Sequence, residues 1–159
     1  MQMKVDAKFK SVDLGMKNML KLMNTLRDPR ALDIGLIDAP PEIVARGAIN
    51  EFGAPGIPAR PWLTTAVDTN SARWLTEWTK DFWVVFKNPN SQLTARDLQA
   101  RMGKRCADDI RDSLENGAWE KNAKTTIQKK GFNWPLVETG ALAAAITYKV
   151  YKPQPKRSK

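Results

Sequence analysis

The sequence predicts an α+β domain: a small, mostly antiparallel sheet packed with an antiparallel pair of long helices and some shorter ones. Three observations carry that prediction. Two long stretches repeat apolar residues every third or fourth position, as amphipathic helices do. Short apolar runs, the first and last of them alternating at period two, stand at the start, near residue 31 and at the end, as strands do. Proline and glycine clusters punctuate the boundaries between them.

Met1, Met3, Val5, Ala7 and Phe9 alternate along an expected first strand. From Val12 the period changes, and Met16, Met19, Leu20, Met23 and Leu26 mark an amphipathic helix that should stop before "RDPR". The run "ALDIGLI", residues 31–37, reads as a second strand. Pro40 and Pro41 then break the chain and suit the first turn of a helix from Glu42 to Phe52, which Gly53 should end. A long helix from about Thr64 to Phe86 carries the stripe Val67, Ser71, Trp74, Leu75, Trp78, Phe82, Val85 and Phe86. "KNPNS" interrupts it at Pro89. A second long helix starts at "TARD", with Thr94 as its cap and Asp97 in its first turn. Its stripe is Leu98, Met102, Cys106, Ile110 and Leu114, and Asn116-Gly117 should stop it. Residues from about 117 to 136 lack a sustained period and read as an irregular arm or a weak hairpin. A short helical turn capped by Thr139 then leads to a final strand, where Ile146, Tyr148 and Val150 alternate against Thr147, Lys149 and Tyr151. No internal repeat is visible, so 1–151 reads as one structural domain and 152–159 as a basic tail.

At 159 residues, 42% hydrophobic and 27% charged, the chain suits one globular domain with a core. No apolar run approaches the roughly 20 residues that span a bilayer, so no membrane partner is expected. The opening "MQMKVDAKFK" mixes charge with apolar residues and has no signal-peptide core. One cysteine cannot form an internal disulfide, and synthesis in the cytoplasm is the simplest expectation. Histidine is absent. That removes Ser-His and Cys-His nucleophile pairs, the imidazole base and a structural zinc site within one chain, and no cofactor is expected.

The net charge of +9 is unevenly spread. Residues 1–120 carry 17 basic and 16 acidic side chains, whereas 121–159 carry 9 basic and only Glu138 as an acid. A basic end of this kind suits a polyanion, either nucleic acid or an acidic protein surface, or else a solvated tail that aids solubility.

Several residues invite a chemical reading. Cys106 lies on an apolar stripe and is expected in the core. Asp108, Asp112 and Glu115 share a helix face, which admits a magnesium site, although a solvated face with Arg105 and Arg111 as local partners is the favoured reading. Gly103 in "ARMGKR" lies inside a helix and so cradles no phosphate. Of six tryptophans, Trp74 and Trp78 fit the core, while Trp62, Trp119 and Trp134 lie in or beside non-periodic segments, where tryptophan anchors an arm or an interface. Only the basic arm around Trp134 pairs an aromatic with positive charge in the way base stacking requires.

Two blocks together resemble a known family. "AINEFGAPGIPARPWLTTA" resembles the signature of the phage virion-morphogenesis and tail-completion proteins, in which a helix ending Glu-aromatic-Gly precedes an Ile-Pro-Ala-Arg-Pro-aromatic-Leu run. "NAKTTIQKKGFNWPLVETGALAAAITYKV" is similar to the family's C-terminal signature, a Thr-Ile-x-x-Lys-Gly run followed by Pro-Leu-Val-(Asp/Glu)-Thr-Gly-x-Leu and a last strand. The likeness spans roughly residues 31–151. Trp62 stands where phenylalanine is usual, Glu138 where aspartate is usual, and "AAAI" where a polar residue and serine often stand.

The resemblance implies a non-enzymatic structural protein of the phage head–tail junction, a neck or tail-completion protein. It would be made in the host cytoplasm and assemble as a homo-oligomeric ring, a hexamer or alternatively a dodecamer. Other neck, tail-terminator, tail-tube or connector proteins would be its neighbours, and DNA would pass its lumen with weak, non-specific contact. On that reading Glu51, Phe52, Arg60, Trp62, Trp119, Trp134 and Thr139 are candidates for a subunit interface or an internal clamp. Pro58 and Pro61 should hold "GIPARP" extended and aim Arg60 at Glu51 or at a neighbouring subunit's acid. Lys129, Lys130, Lys149, Lys152, Lys156, Arg157 and Lys159 are candidates to face DNA or another polyanion. The competing functions are a basic DNA-binding module and a metal-dependent nuclease built on the Asp108–Glu115 face.

Overall fold

The computed structural model of the chain describes residue 20 and residues 30–88, 91–119, 127–128, 131 and 140–153. The expected first strand, and all of the following helix but Leu20, which is helical, lie outside these residues. The described chain is α+β. Strand β1 (Ala31–Gly35) is followed by helices α1 (Pro41–Phe52), α2 (Trp62–Lys87), α3 (Ala95–Asn116) and α4 (Ala141–Ala145), and then strand β2 (Thr147–Tyr151). The two strands pair antiparallel, with Ala31 opposite Tyr151 and Gly35 opposite Thr147.

Local chemistry sets most of the boundaries. Pro41 occupies the first turn of α1, where its missing N–H costs nothing, and Gly53 follows the helix and returns its N–H to the Ile49 carbonyl at 2.8 Å. Thr94 and Asp97 form a reciprocal capping box at the start of α3: the Thr94 hydroxyl accepts from the Asp97 N–H at 3.2 Å and the Asp97 carboxylate accepts from the Thr94 N–H at 2.8 Å. Two starts differ from the expectation. Helix α2 begins at Trp62 rather than Thr64, because Pro61 presets the turn into it. Helix α4 has Gly140, in a left-handed conformation, at its N-cap position in place of Thr139, which lies outside the described residues.

Helices α2 and α3 run antiparallel, as their cross-links show. The Ser113 hydroxyl donates to the Trp62 carbonyl at 2.8 Å, Trp74 Nε1 and Arg73 both donate to Asp109, and Arg105 reaches Asp81 at 2.6 Å. Arg105 also pairs with Glu77. It therefore serves the opposite helix rather than the acidic face of its own, because its position on α3 turns it toward α2. The core joins Trp62, Ala66 and Trp74 of α2 to Cys106, Ala107, Ile110 and Leu114 of α3 and to Leu142, Ala143 and Ile146. Cys106 sits in this core, and burial pushes its thiol up to about 11, which keeps it protonated and inert.

The sheet lies against α3 at a point where only glycine fits. A Cβ on Gly103 would stand 2.5 Å from the Tyr148 ring and 2.9 Å from Leu32 Cδ1. The expected alternation holds in part: Ile146, just before β2, is fully buried and Tyr148 packs on the core, while Lys149 and Tyr151 are exposed and Thr147 and Val150 are half-buried.

The stripe expected along α2 is only partly buried. Trp74 is covered, but Leu75 is 65% exposed and Ser71, Trp74, Leu75 and Trp78 line an open groove of about 310 Å³ with Leu32, Gln99 and Met102. The face that reaches the core runs instead through Trp62, Ala66 and Trp74, since α3 crosses there. Among the described residues no helix is long and apolar enough to cross a membrane.

Candidate functional site

The segment from Asn50 to Leu63 folds back on the helix that precedes it. Ala54 and Ile57 exchange backbone hydrogen bonds of 3.0 and 2.8 Å around Pro55-Gly56, and the Arg60 N–H donates to the Asn50 carbonyl at 2.6 Å. The chain is not extended at its end, contrary to the expectation for "GIPARP". The Trp62 N–H closes a three-residue turn on the Arg60 carbonyl at 2.7 Å, with Pro61 at φ −74° and ψ 66°. Those angles define an inverse γ-turn, which suits the constrained φ of proline. The turn delivers Trp62 directly into α2.

Glu51 completes the corner. A proline at the N-cap of α2 has no side-chain acceptor for the helix's first N–H groups. The Glu51 carboxylate, buried at the end of α1, supplies one from outside the helix: Oε2 accepts from the Leu63 N–H at 2.8 Å, and Oε1 accepts from the Thr64 N–H at 3.0 Å and its hydroxyl at 2.6 Å. A negative charge at a helix N-terminus is also favoured by the helix dipole. Arg60 is 5% exposed and Trp62 2%, so both are turned into their own chain. The indole Nε1 of Trp62 donates to the Gly47 carbonyl at 3.3 Å. Of the first block's candidates only Phe52 faces outward, at 79% exposure. Within the chain, the Glu51 carboxylate and the Trp62 indole thus link α1 to the start of α2, and Arg60 joins α1 through its backbone N–H.

The second block meets the first at Gly47. A Cβ there would lie 2.5 Å from Leu36 Cδ1, 3.4 Å from Leu142 Cδ1 and 3.6 Å from the Trp62 ring. The absence of a side chain in α1 lets residues from three separate parts of the chain converge on it. Arg111 of α3 then ties down the end of the second block. It donates through Nε to the Ala143 carbonyl at 3.3 Å and through Nη2 to the Ile146 carbonyl, while its Nη1 holds Asp108 at 2.6 Å. A guanidinium at the carbonyl end of α4 satisfies acceptors that a five-residue helix leaves open.

The other candidates divide plainly. Trp119 is half-buried at the edge of the core, and its Nε1 donates to the Ser113 and Leu114 carbonyls at 3.1 and 3.2 Å, closing the end of α3. Lys149 pairs with Asp38 at 2.8 Å, and that hydrogen bond raises its pKa above the ordinary lysine value. Lys152 is exposed. Trp134, Thr139, Lys129, Lys130, Lys156, Arg157 and Lys159 lie outside the described residues, as does most of the expected 117–136 arm; in that arm Ile127 and Gln128 are helical. On the acidic face, Asp108 is held by Lys104 and Arg111, and Asp112 accepts from Asn116 at 2.7 Å. Among the described residues no group of three or more Asp, Glu, Cys or His is placed to hold a metal ion.

Two roles escaped the sequence reading, the capping by Glu51 and the carbonyl clamp of Arg111. Each acts on a partner at least a dozen positions away, beyond the reach of local patterns. Compared with protein-family models, curated proteins and solved structures, the chain matches none.

Proposed function

We propose that this chain is a structural protein of a phage head–tail junction, a neck or tail-completion protein that assembles as a ring around the DNA channel. The reading is carried by the resemblance of its two signature blocks to those of the tail-completion family. Their packing supports it: Trp62 of the first block and Leu142 of the second meet over Gly47. Segments that resemble one family's paired signature, far apart in sequence, thus serve one structural unit here. The basic excess of residues 121–159 suits a lumen that DNA must traverse, since scattered lysines give weak and salt-sensitive contact.

Imaging of particles carrying a labelled copy of the chain tests the proposal. Label at the junction of head and tail, together with heads that fail to join tails when the chain is omitted, is the expected result. Complete, infective particles formed without it would overturn the reading. Deleting residues 152–159 tests the DNA contact separately: the protein should stay folded and lose part of its low-salt retention on DNA.

A further inference from the structure

The far end of α2 carries exposed apolar side chains. Trp83 is 48% exposed and Val84 58%, and with Lys80 and Lys87 they line a shallow groove of about 410 Å³. The indole is held in position on two sides. Phe86 meets it edge to face at 5.2 Å, and Lys87 Nζ lies 5.9 Å from the ring centroid. The neighbouring acids Glu77 and Asp81 are engaged by Arg105, which leaves the two lysines as the charge at the groove's rim. An exposed tryptophan with a cationic rim fits an occupant that offers carboxylates around the contact.

The same chain offers that chemistry at the opposite end of the helix pair. Asp112 and Glu115 are exposed near the end of α3, whose last turn has no basic residue. Because Ser113 sits beside Trp62, this acidic end and Trp83 are separated by most of the length of α2, roughly 30 Å at 1.5 Å per residue. Two complementary patches at opposite ends of one molecule make a head-to-tail contact, which repeats into a ring when the rotation closes.

We propose that Lys80, Trp83, Val84 and Lys87 dock on the Asp112–Glu115 end of α3 in a second copy of this chain. The proposal rests on the ring reading above and names the surfaces that would form it. Single-stranded DNA is the competing occupant; Lys87 already covers part of the indole that a base would need for stacking.

Light scattering of the full chain across concentration and salt tests it. The pair Lys80→Glu and Lys87→Glu should weaken self-association at least about tenfold, toward the 17.9 kDa monomer, with an unchanged circular dichroism spectrum. Asp112→Lys with Glu115→Lys should do the same, and combining all four changes in one chain should restore the oligomer. An oligomer unaffected by either pair overturns this contact and leaves the ring reading intact. A monomer at every concentration also overturns it, and the ring reading is then decided by the particle imaging. Retention on single-stranded DNA that is lost in Trp83→Ala, with oligomer size unchanged, overturns it in favour of nucleic acid.

Discussion

The two ends of α2 hold similar aromatic and apolar residues in opposite circumstances. At its start, Trp62 is 2% exposed, capped over by α1 and α4, with its helix N-terminus closed by a buried carboxylate. At its far end, Trp83 and Val84 are about half exposed, and two lysines rim them. The helix is the same and the residue types nearly so. What differs is how many other elements reach each end. Among the described residues, α1, α4 and the last turn of α3 converge on the start, whereas at the far end it is α3, through Arg105, that reaches Asp81. Burial at the start gives a rigid joint, and exposure at the far end gives a surface.

Breaking the joint should have the largest effect. Glu51→Ala removes the acceptor of two backbone N–H groups and one hydroxyl, and should cost roughly 2–4 kcal/mol in urea denaturation. Glu51→Gln keeps an acceptor oxygen and should cost clearly less. Equal losses in the two variants would show that side-chain packing, not capping, matters at this site.

Gly103→Ala comes next, because its Cβ would press into Tyr148 and Leu32. A loss of about 1–3 kcal/mol is expected as α3 is pushed off the sheet. A neutral result would mean that the strands shift freely and that the sheet is not part of the joint.

Thr94→Ala should cost about 1 kcal/mol by removing the capping box. Its pH dependence has a definite sign. The Thr94 hydroxyl and then its backbone N–H hold the Asp97 carboxyl below its ordinary range. That contribution is complete above the unfolded carboxylate value of about 4 and fades as pH falls through the lower folded value. Thermal melts of wild type and variant should therefore converge in acid; a gap that stays constant would assign the loss to the backbone alone.

The smallest effect is expected on the open face. Leu75→Ser, at 65% exposure, should change the stability of the isolated chain by no more than about 0.5 kcal/mol. A loss near that of a core position would show that the groove beside Leu75 is covered in solution.

The legibility of these features in the sequence followed the range of the forces involved. The stripe Leu98, Met102, Cys106, Ile110 and Leu114 was readable, and all of it but the half-buried Met102 is buried, because α3 packs on α2, on the sheet and on α4 along its length. The stripe of α2 was equally periodic, yet only part of it is covered, since periodicity says which residues share a face and not how far a neighbour extends. Prolines 58 and 61 suggested an extended segment, and the turn at Pro61 appears only once the Arg60 carbonyl and Trp62 are placed.

By itself, then, the sequence determined the α+β class, the proline start of α1, the Thr94 and Asp97 cap and the core position of Cys106, all consequences of local geometry or of one face's hydrophobicity. Tertiary structure decided the rest. Glu51 became a cap for another helix, Arg60 and Trp62 turned inward, Arg111 gathered the carbonyls of the second block, and Trp83 was left at the surface. Each of these depends on the distance between residues remote in sequence, which only the packed chain sets.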